Sequence, residues 1–261
     1  MRPAFRIRAF PAAVAALALV LGGCGMQPGE KKPRITLFVG VDTSGSFQRS
    51  GSYDDAMTFL AHYLYGHLNE LGGLEKPREL FVGAIGGQDP NEPKAFHPIQ
   101  DFTGRSIQEI ESDLRTWFPS NDSLTDFNPF FQQVARIVKE RNLVLAPVTL
   151  MVVTDGVPDF SVAGAQRGKR GSKEMYEHID LEPLEYLSRR MTLRLAYVSP
   201  QVGKNWRDHV PRQRVRLWTV DAEVMRGWKA QIEPPDTPGD AERLWAWILH
   251  NVDFRVRSVG A

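Results

Sequence analysis

Five oxygen-bearing side chains in this sequence have the types and spacing expected of ligands to one divalent cation. They are Asp42, Ser44, Ser46, Thr125 and Asp155. The first three alternate in a short DTSGS segment, where Gly45 lets the backbone turn, so their oxygens can converge on one point. Mg²⁺ takes about six oxygen ligands at roughly 2.1 Å, and short side chains hold that geometry rigidly. No His or Cys is close to these residues in sequence, which disfavours zinc.

Two apolar runs are predicted to position the carboxylates. Ile35–Val41 and Val148–Thr154 are typical of buried strands, and each ends directly before an aspartate. In an open parallel sheet, ligands bind at the carboxyl ends of the strands. Thr125 lies in the loop Ser120–Asn128, just before a predicted helix. We therefore expect both aspartates at the same edge of a sheet.

The rest of the chain alternates predicted strands and helices. Further strands are expected at Leu80–Ile85, Leu193–Val198 and Val215–Val220, with a weaker edge strand at Ala95–Phe102. Helices are expected at 52–71, 106–118, 129–142, 182–190 and 237–251, and a polar loop at 156–180. Ser52 with Asp55, and Ser106 with Glu109, are spaced as capping boxes. Alternation of this kind predicts an α/β domain with a mostly parallel central sheet flanked by helices.

The order of the five candidate ligands resembles the metal-ion-dependent adhesion site of von Willebrand factor type A domains. That site combines Asp-x-Ser-x-Ser with a later Thr and a later Asp. Here Thr125 follows Ser46 by 79 residues, and Asp155 follows Thr125 by 30. The resemblance covers about residues 34–255 and implies a doubly wound, Rossmann-like fold. Ser123-Leu124 stands where the family often has glycines, so the loop before Thr125 departs from the family pattern.

The resemblance also implies a role for each ligand. Ser44 and Ser46 would bind the metal directly, and Thr125 directly or through water. Asp42 and Asp155 would act mostly through water. The cation would be Mg²⁺, with Mn²⁺ or Ca²⁺ as substitutes, and an Asp or Glu from a protein partner would complete its coordination. The resemblance thus predicts metal-dependent protein binding and no enzyme activity.

Structural interpretations of the same residues stay open. Asp42, Ser44 and Ser46 also suit a turn that caps a following helix. A type A fold can equally serve as a structural or scaffolding module without metal. Asp126 and Asp159 are expected near the rim of the predicted metal site. They either form hydrogen bonds to the metal ligands or are solvated loop residues.

An enzyme is the least supported alternative. The DTSGS segment faintly resembles the active-site loop of aspartic proteases, but Ser44 interrupts that motif and those proteases are all-β. A phosphatase of the haloacid dehalogenase type needs an aspartate where Ser44 stands. The sequence has no GxSxG nucleophile elbow and no phosphate-binding loop ending in Lys-Ser/Thr. A carboxylate-based hydrolase is therefore disfavoured.

A basic segment follows Asp155 closely in the sequence. Residues 164–173 (GAQRGKRGSK) carry four basic side chains and begin nine residues after Asp155. The segment either borders the predicted metal site and attracts an acidic partner or a phosphate, or is an ordinary solvated loop.

The N-terminus has the features of an export signal. Residues 1–9 carry three arginines, and the 14 residues Phe10–Gly23 carry no charge. As a helix that run would be about 21 Å long, whereas a membrane span needs about 30 Å, so a signal peptide (1–23) is expected. Leu21-Gly22-Gly23-Cys24 resembles the bacterial lipobox, which implies lipid attachment at Cys24, with 24–33 as a tether. A plain secretory signal is the alternative.

Composition and charge restrict the function further. With 42% hydrophobic and 24% charged residues, the 261-residue chain is of ordinary globular type. Removing residues 1–23 takes away three of the 32 basic residues and none of the 31 acidic ones, which leaves a net charge of −2. No basic field therefore suggests nucleic-acid binding. Gly25, rather than Asp, follows the cysteine, which by resemblance to Gram-negative lipoproteins favours the outer membrane, facing the periplasm.

Overall fold

A computed structural model of the chain describes residues 34–86, 95–160, 169–187, 191–232 and 242–253. These residues all lie in one compact unit, Pro33–Ala261. The predictions about the signal peptide, Cys24 and the tether concern residues outside the described part. Among the helices of the described part, none combines the length and the apolar character that crossing a membrane requires.

Six strands of the described residues form one sheet. They are β1 (Thr36–Asp42), β2 (Glu79–Ile85), β3 (Phe96–Pro98), β4 (Val148–Val153), β5 (Thr192–Val198) and β6 (Arg216–Asp221). Their spatial order is β3-β2-β1-β4-β5-β6, and only the pairing of β2 with β3 is antiparallel. This is a doubly wound order whose direction reverses between β1 and β4. The predicted fold class, a mostly parallel α/β sheet, is confirmed.

Helices cover both faces of this sheet. In the described residues they are α1 (Gly45–Arg49), α2 (Tyr53–Leu68), α3 (Ile107–Trp117), α4 (Asn128–Glu140), α5 (Lys173–Glu177), α6 (Glu182–Glu185), α7 (Pro200–His209), α8 (Ala222–Met225) and α9 (Glu242–Asn251). Short 3₁₀ turns occur at Leu71–Gly73, Ile99–Asp101 and Lys229–Gln231.

Alternate residues of the central strands enter two separate cores. In β1, Leu37 and Val39 pack with α2, α3 and α9, while Phe38 between them packs with α4, α5, α6 and α7. The strand is fully buried, because successive side chains point to opposite faces and both faces carry helices. This explains why β1 has a continuous apolar sequence rather than an alternating one.

A buried ion cluster fastens the end of α9 to the rest of the domain. The Asp253 carboxylate lies 2.9 Å from Nε2 of His67 in α2 and 3.6 Å from Nε of Arg194 in β5. The Tyr63 hydroxyl donates to the same carboxylate at 3.1 Å. Burial raises the pKa of Asp253, but the charges of His67 and Arg194, together with hydrogen bonds from His67 and Tyr63, outweigh burial and lower that pKa to about 2.

One of the two predicted capping boxes is present. The Ser106 hydroxyl accepts from the backbone N–H of Glu109 at 3.3 Å, and the Glu109 carboxylate accepts from the N–H of Ser106 at 2.8 Å. The Ser52 box is wrong, because the Ser52 side chain makes no cap hydrogen bond. Asp55 instead accepts from the Tyr197 hydroxyl at 2.7 Å and from the Trp228 indole N–H at 2.9 Å. These long-range bonds replace the local one.

Several element predictions need correction. The edge strand Ala95–Phe102 shrinks to the three residues of β3. The helix expected at 182–190 is present as α6 and ends before the turn at 186–187, whereas residues 188–190 lie outside the described part. Helix α5 lies inside the predicted loop 156–180, and α7 was not predicted at all. Only Gly203 and Trp206 of α7 are buried, so its apolar period is too weak to show in the sequence. The predicted start of α9 at residues 237–240 lies outside the described part.

Candidate metal centre

The two aspartates lie at the edge where the winding of the sheet reverses. Asp42 is the last residue of β1, and Asp155 follows the end of β4 by two residues. These strands are neighbours, and Val41, one residue before Asp42, pairs with Val153, two residues before Asp155. The carboxyl ends of two parallel strands at such a reversal form a crevice where ligands bind in doubly wound sheets.

Asp42 is a fully buried carboxylate. Its Oδ1 accepts from the backbone N–H of Ser44 at 2.9 Å, and its Oδ2 accepts from the Thr154 hydroxyl at 2.5 Å. Burial and the nearby negative charge of Asp155 raise the pKa of Asp42 to about 7, against the hydrogen bonds, which lower it. No Lys or Arg of the described residues forms an ion pair with Asp42. The carboxylate is therefore short of positive charge.

The two serines of the DTSGS segment present their hydroxyls to each other. The Oγ atoms of Ser44 and Ser46 are 2.9 Å apart. Ser44 is also the N-cap of α1, where its Oγ accepts from the N–H of Phe47 at 3.4 Å. The capping interpretation is thus correct for Ser44. The turn expected at Gly45 is not seen, because Gly45 is the first residue of α1.

The loop that carries Thr125 is hydrogen-bonded to the DTSGS segment and to the chain that follows Asp155. The Thr125 N–H donates to the Asp159 carbonyl at 3.0 Å, and the Asp159 N–H donates back at 3.1 Å. Earlier in the loop, Asp122 accepts from the Thr43 hydroxyl at 2.6 Å and, through its carbonyl, from the N–H of Gly45 at 3.0 Å. Thr125 is buried, and no hydrogen bond among the described residues joins its side chain to Asp42, Ser44, Ser46 or Asp155. The loop thus brings Thr125 to this edge without bonding it to the other four candidates.

Asp155 already has a positively charged neighbour. Its Oδ1 accepts from the N–H of Val157 at 2.9 Å, and its Oδ2 lies 3.0 Å from Nη2 of Arg170. Arg170 belongs to the basic segment 164–173, so this part of the segment borders the site as one interpretation proposed. Residues 164–168 lie outside the described part.

Gly156 is required where the chain leaves the site. Its φ is +72°, and an added Cβ would lie 2.8 Å from side-chain atoms of both Val198 and Val202. The Trp206 indole N–H donates to its carbonyl at 2.7 Å. A side chain at this position would push α7 away from the edge of the sheet and displace Asp155 with it.

Some residues of the site were missed in the sequence. Thr154 would follow Val153 in the pairing of β4 with β1, so the strand register could have placed its hydroxyl beside Asp42. Thr43 had no comparable signal, because its partner Asp122 lies 79 residues away in sequence. Arg170 lies in the basic segment that one interpretation placed at the site, but its pairing with Asp155 was not predicted. Asp126, expected near the rim, accepts from the N–H of Asn128 at 3.0 Å at the start of α4.

Comparisons with known proteins give similarity at the level of structure. No family model matches the chain, and no curated protein does. The pilus adhesin SpaC from Lactobacillus rhamnosus GG matches with 12% identity and a TM-score of 0.48, over 82% of this chain and 30% of the adhesin. The VWA domain of SpRpn10 matches with 9% identity and a TM-score of 0.39, over 80% of this chain and 93% of that domain.

A third match is the manganese-loaded TRAP protein of Plasmodium vivax, with 16% identity and a TM-score of 0.42, over 73% of this chain and 69% of that protein. The chain thus spans about a third of the adhesin's length and most of the VWA domain's. At these identities and scores no function or site residue is transferred from the matches. The order of the sheet, taken by itself, defines a doubly wound α/β domain.

Proposed function

We propose that this domain binds a divalent cation at the β1–β4 edge and, through that cation, a carboxylate of a protein partner. The observation that carries the proposal is the environment of Asp42. This carboxylate is fully buried, has a second carboxylate nearby, and has no ion-pair partner among the described residues. A buried anion beside another anion costs folding free energy unless a cation or a proton compensates.

The donor set suits a hard cation. The described residues hold no cluster of three or more His, Cys, Asp or Glu side chains, so hydroxyl oxygens must contribute to such a site. Neighbouring ligands of an octahedral Mg²⁺ are about 3 Å apart, because each bond is about 2.1 Å long. The Ser44 and Ser46 hydroxyls are separated by 2.9 Å, which matches that spacing. Mn²⁺ and Ca²⁺ accept the same oxygen ligands.

Each residue takes a role under this proposal. Ser44 and Ser46 would hold the cation directly, with Thr125 beside them. Asp42 and Asp155 would act mostly through water. Because most direct ligands would then be neutral, the cation would keep its attraction for an acidic group from outside. An Asp or Glu of the partner would occupy the remaining position, as in a type A adhesion site, and no catalytic step is involved.

The proposed location is the bacterial cell envelope. The uncharged run Phe10–Gly23 and the Leu21–Cys24 segment support export and lipid attachment at Cys24. Residues 24–33 would tether the domain to the outer membrane, on its periplasmic side. The partner would then be another envelope protein, and nucleic acid is not expected.

One observation favours a second candidate, a metal-free structural module. The Arg170 guanidinium already neutralises Asp155 at 3.0 Å. If that ion pair were permanent, the edge would need no divalent cation, and partners would contact other surfaces of the domain.

A cation-dependent capture experiment tests the main proposal. The protein is immobilised and exposed to envelope extract with Mg²⁺, with EDTA, and with Mg²⁺ restored. We expect capture that EDTA removes and Mg²⁺ restores. Asp42→Ala should abolish capture while circular dichroism remains native. Asp208→Ala, which removes an exposed carboxylate of α7, is the matched control and should capture normally. Capture by Asp42→Ala that resists EDTA would refute the proposal.

A further inference from the structure

The ion pair between Arg170 and Asp155 occupies part of the proposed cation site. The guanidinium lies 3.0 Å from Oδ2, and the other carboxylate oxygen accepts from the N–H of Val157. The Asp155 side chain is only 16% exposed, whereas that of Arg170 is 37% exposed. The carboxylate is therefore fixed, and the arginine has solvent on one side into which it can withdraw.

A tight turn holds Arg170 at this position. The N–H of Gly171 donates to the carbonyl of Pro158 at 3.1 Å, and the N–H of Ser172 donates to the carbonyl of Lys169 at 2.9 Å. Gly171 has a φ of +66°, and a Cβ there would lie 2.9 Å from a side-chain methyl of Val157. The turn therefore docks on the residues that directly follow Asp155. The backbone hydrogen bonds of this turn therefore help to place the Arg170 side chain beside Asp155.

We propose that Arg170 is a built-in competitor for the divalent cation: its guanidinium holds Asp155 while the site is empty and weakens cation binding. The inference rests on the proposed function of the site. A divalent cation and a guanidinium about 6 Å apart in water repel each other by an energy equivalent to about tenfold in affinity. Binding of the cation must also break or loosen the ion pair to Asp155.

The experiment measures the affinity for Mn²⁺ alone by isothermal titration of the full chain in detergent. Three variants are compared with the unmodified protein. Arg170→Gln removes the proposed competitor. Lys169→Gln removes the same charge from the same turn but leaves the contact with Asp155. Ser44→Ala removes a proposed ligand. We expect Arg170→Gln to bind Mn²⁺ about tenfold more tightly, Lys169→Gln to stay within about twofold, and Ser44→Ala to lose binding.

A second readout is the unfolding temperature, measured first in EDTA and then with Mn²⁺. In EDTA, Arg170→Gln should unfold at a slightly lower temperature than the unmodified protein, because Asp155 has lost its partner, although it gains more from Mn²⁺. A merely structural arginine would give the first effect without the second.

The outcomes separate this inference from the proposed function. Equal or weaker Mn²⁺ binding by Arg170→Gln, with binding still lost in Ser44→Ala, would overturn the competitor and leave the metal site standing. The same gain in Mn²⁺ affinity in Lys169→Gln would also overturn the competitor proposal. The gain would then come from removing any positive charge near the site, and not from freeing Asp155. Absence of binding in both the unmodified protein and Arg170→Gln would overturn both. Binding only in Arg170→Gln would support the competitor strongly.

Discussion

Replacing Asp42 with asparagine should stabilise the metal-free domain and remove its response to Mg²⁺. Asparagine keeps the shape of the side chain and can still accept from the N–H of Ser44, but it carries no charge. The buried anion and its repulsion by Asp155 disappear together. A residue retained for function at the expense of stability should behave in this way.

The magnitude follows from the pKa of Asp42. Its rise from 3.8 to about 7 corresponds to about 4 kcal/mol of unfavourable free energy once the folded protein has lost the proton. The Thr154 hydroxyl would face an amide N–H instead of a carboxylate oxygen, which costs about 1–2 kcal/mol. A net stabilisation of about 2 kcal/mol at pH 8 is therefore expected for Asp42→Asn.

The sign of the pH dependence gives a second check. Between pH 3.8 and about 7 the unfolded chain releases the Asp42 proton while the folded protein keeps it, so this carboxyl makes stability fall as pH rises. Asp42→Asn should lack that decline.

Urea unfolding of both proteins between pH 4 and pH 8 in EDTA, followed by circular dichroism, measures these effects. Mg²⁺ at about 100 times its Kd should then stabilise the unmodified protein by about 2.7 kcal/mol and leave Asp42→Asn unchanged. Destabilisation of Asp42→Asn in EDTA at pH 8 would refute the reasoning.

Three further predictions concern the scaffold. Asp253→Asn should cost about 3 kcal/mol at neutral pH, because the buried side chains of His67 and Arg194 lose their carboxylate partner; since the pKa of Asp253 is about 2, the unmodified protein should lose this contribution as pH falls from 3.8 towards 2. Urea unfolding at pH 7 and pH 3 checks both, and an acid-insensitive protein would contradict them. Gly156→Ala should cost about 2 kcal/mol through its positive φ and the close approach of Val198; an unchanged melting temperature would contradict this. Ser106→Ala should cost about 1 kcal/mol, whereas Ser52→Ala should cost almost nothing; equal unfolding midpoints would show that the cap contributes little.

The strands were the most predictable part of the fold. β1, β2, β4 and β5 are largely buried on both faces, so the sequence displays each as a mainly apolar run, interrupted in β5 by Arg194. The strand β3 has no such run, and among the described residues it pairs with a strand on one side only. Only three residues of the eight expected there are paired.

Helix ends were predictable where the local bonds decide them. Ser106 and Glu109 are exposed, so nothing competes with their capping bonds. Asp55 has the same spacing from Ser52 but points into contacts with Tyr197 and Trp228, more than 140 residues away. The spacing of two residues in the sequence cannot predict contacts with residues so far away.

In the candidate site, too, contacts between sequence neighbours were predictable and contacts between distant residues were not. Asp42, Ser44 and Ser46 are neighbours in sequence, and two of their contacts in the structure are with one another. The Thr154 bond to Asp42 spans 112 residues and depends on the register of β1 with β4. Arg170 contacts Asp155 because its turn is hydrogen-bonded to Pro158, and no sequence motif predicts that bond. The electrostatics of the site therefore required the structure.

The measurement that tests the central claim most directly is the isothermal titration of Mg²⁺ into the metal-free protein. The comparison is with Ser44→Ala, and with Ser112→Ala, which removes an exposed hydroxyl of α3, as the control. The account predicts saturable binding to the unmodified protein and to Ser112→Ala, and its loss in Ser44→Ala. Equal binding by all three proteins would place the cation elsewhere and contradict the account.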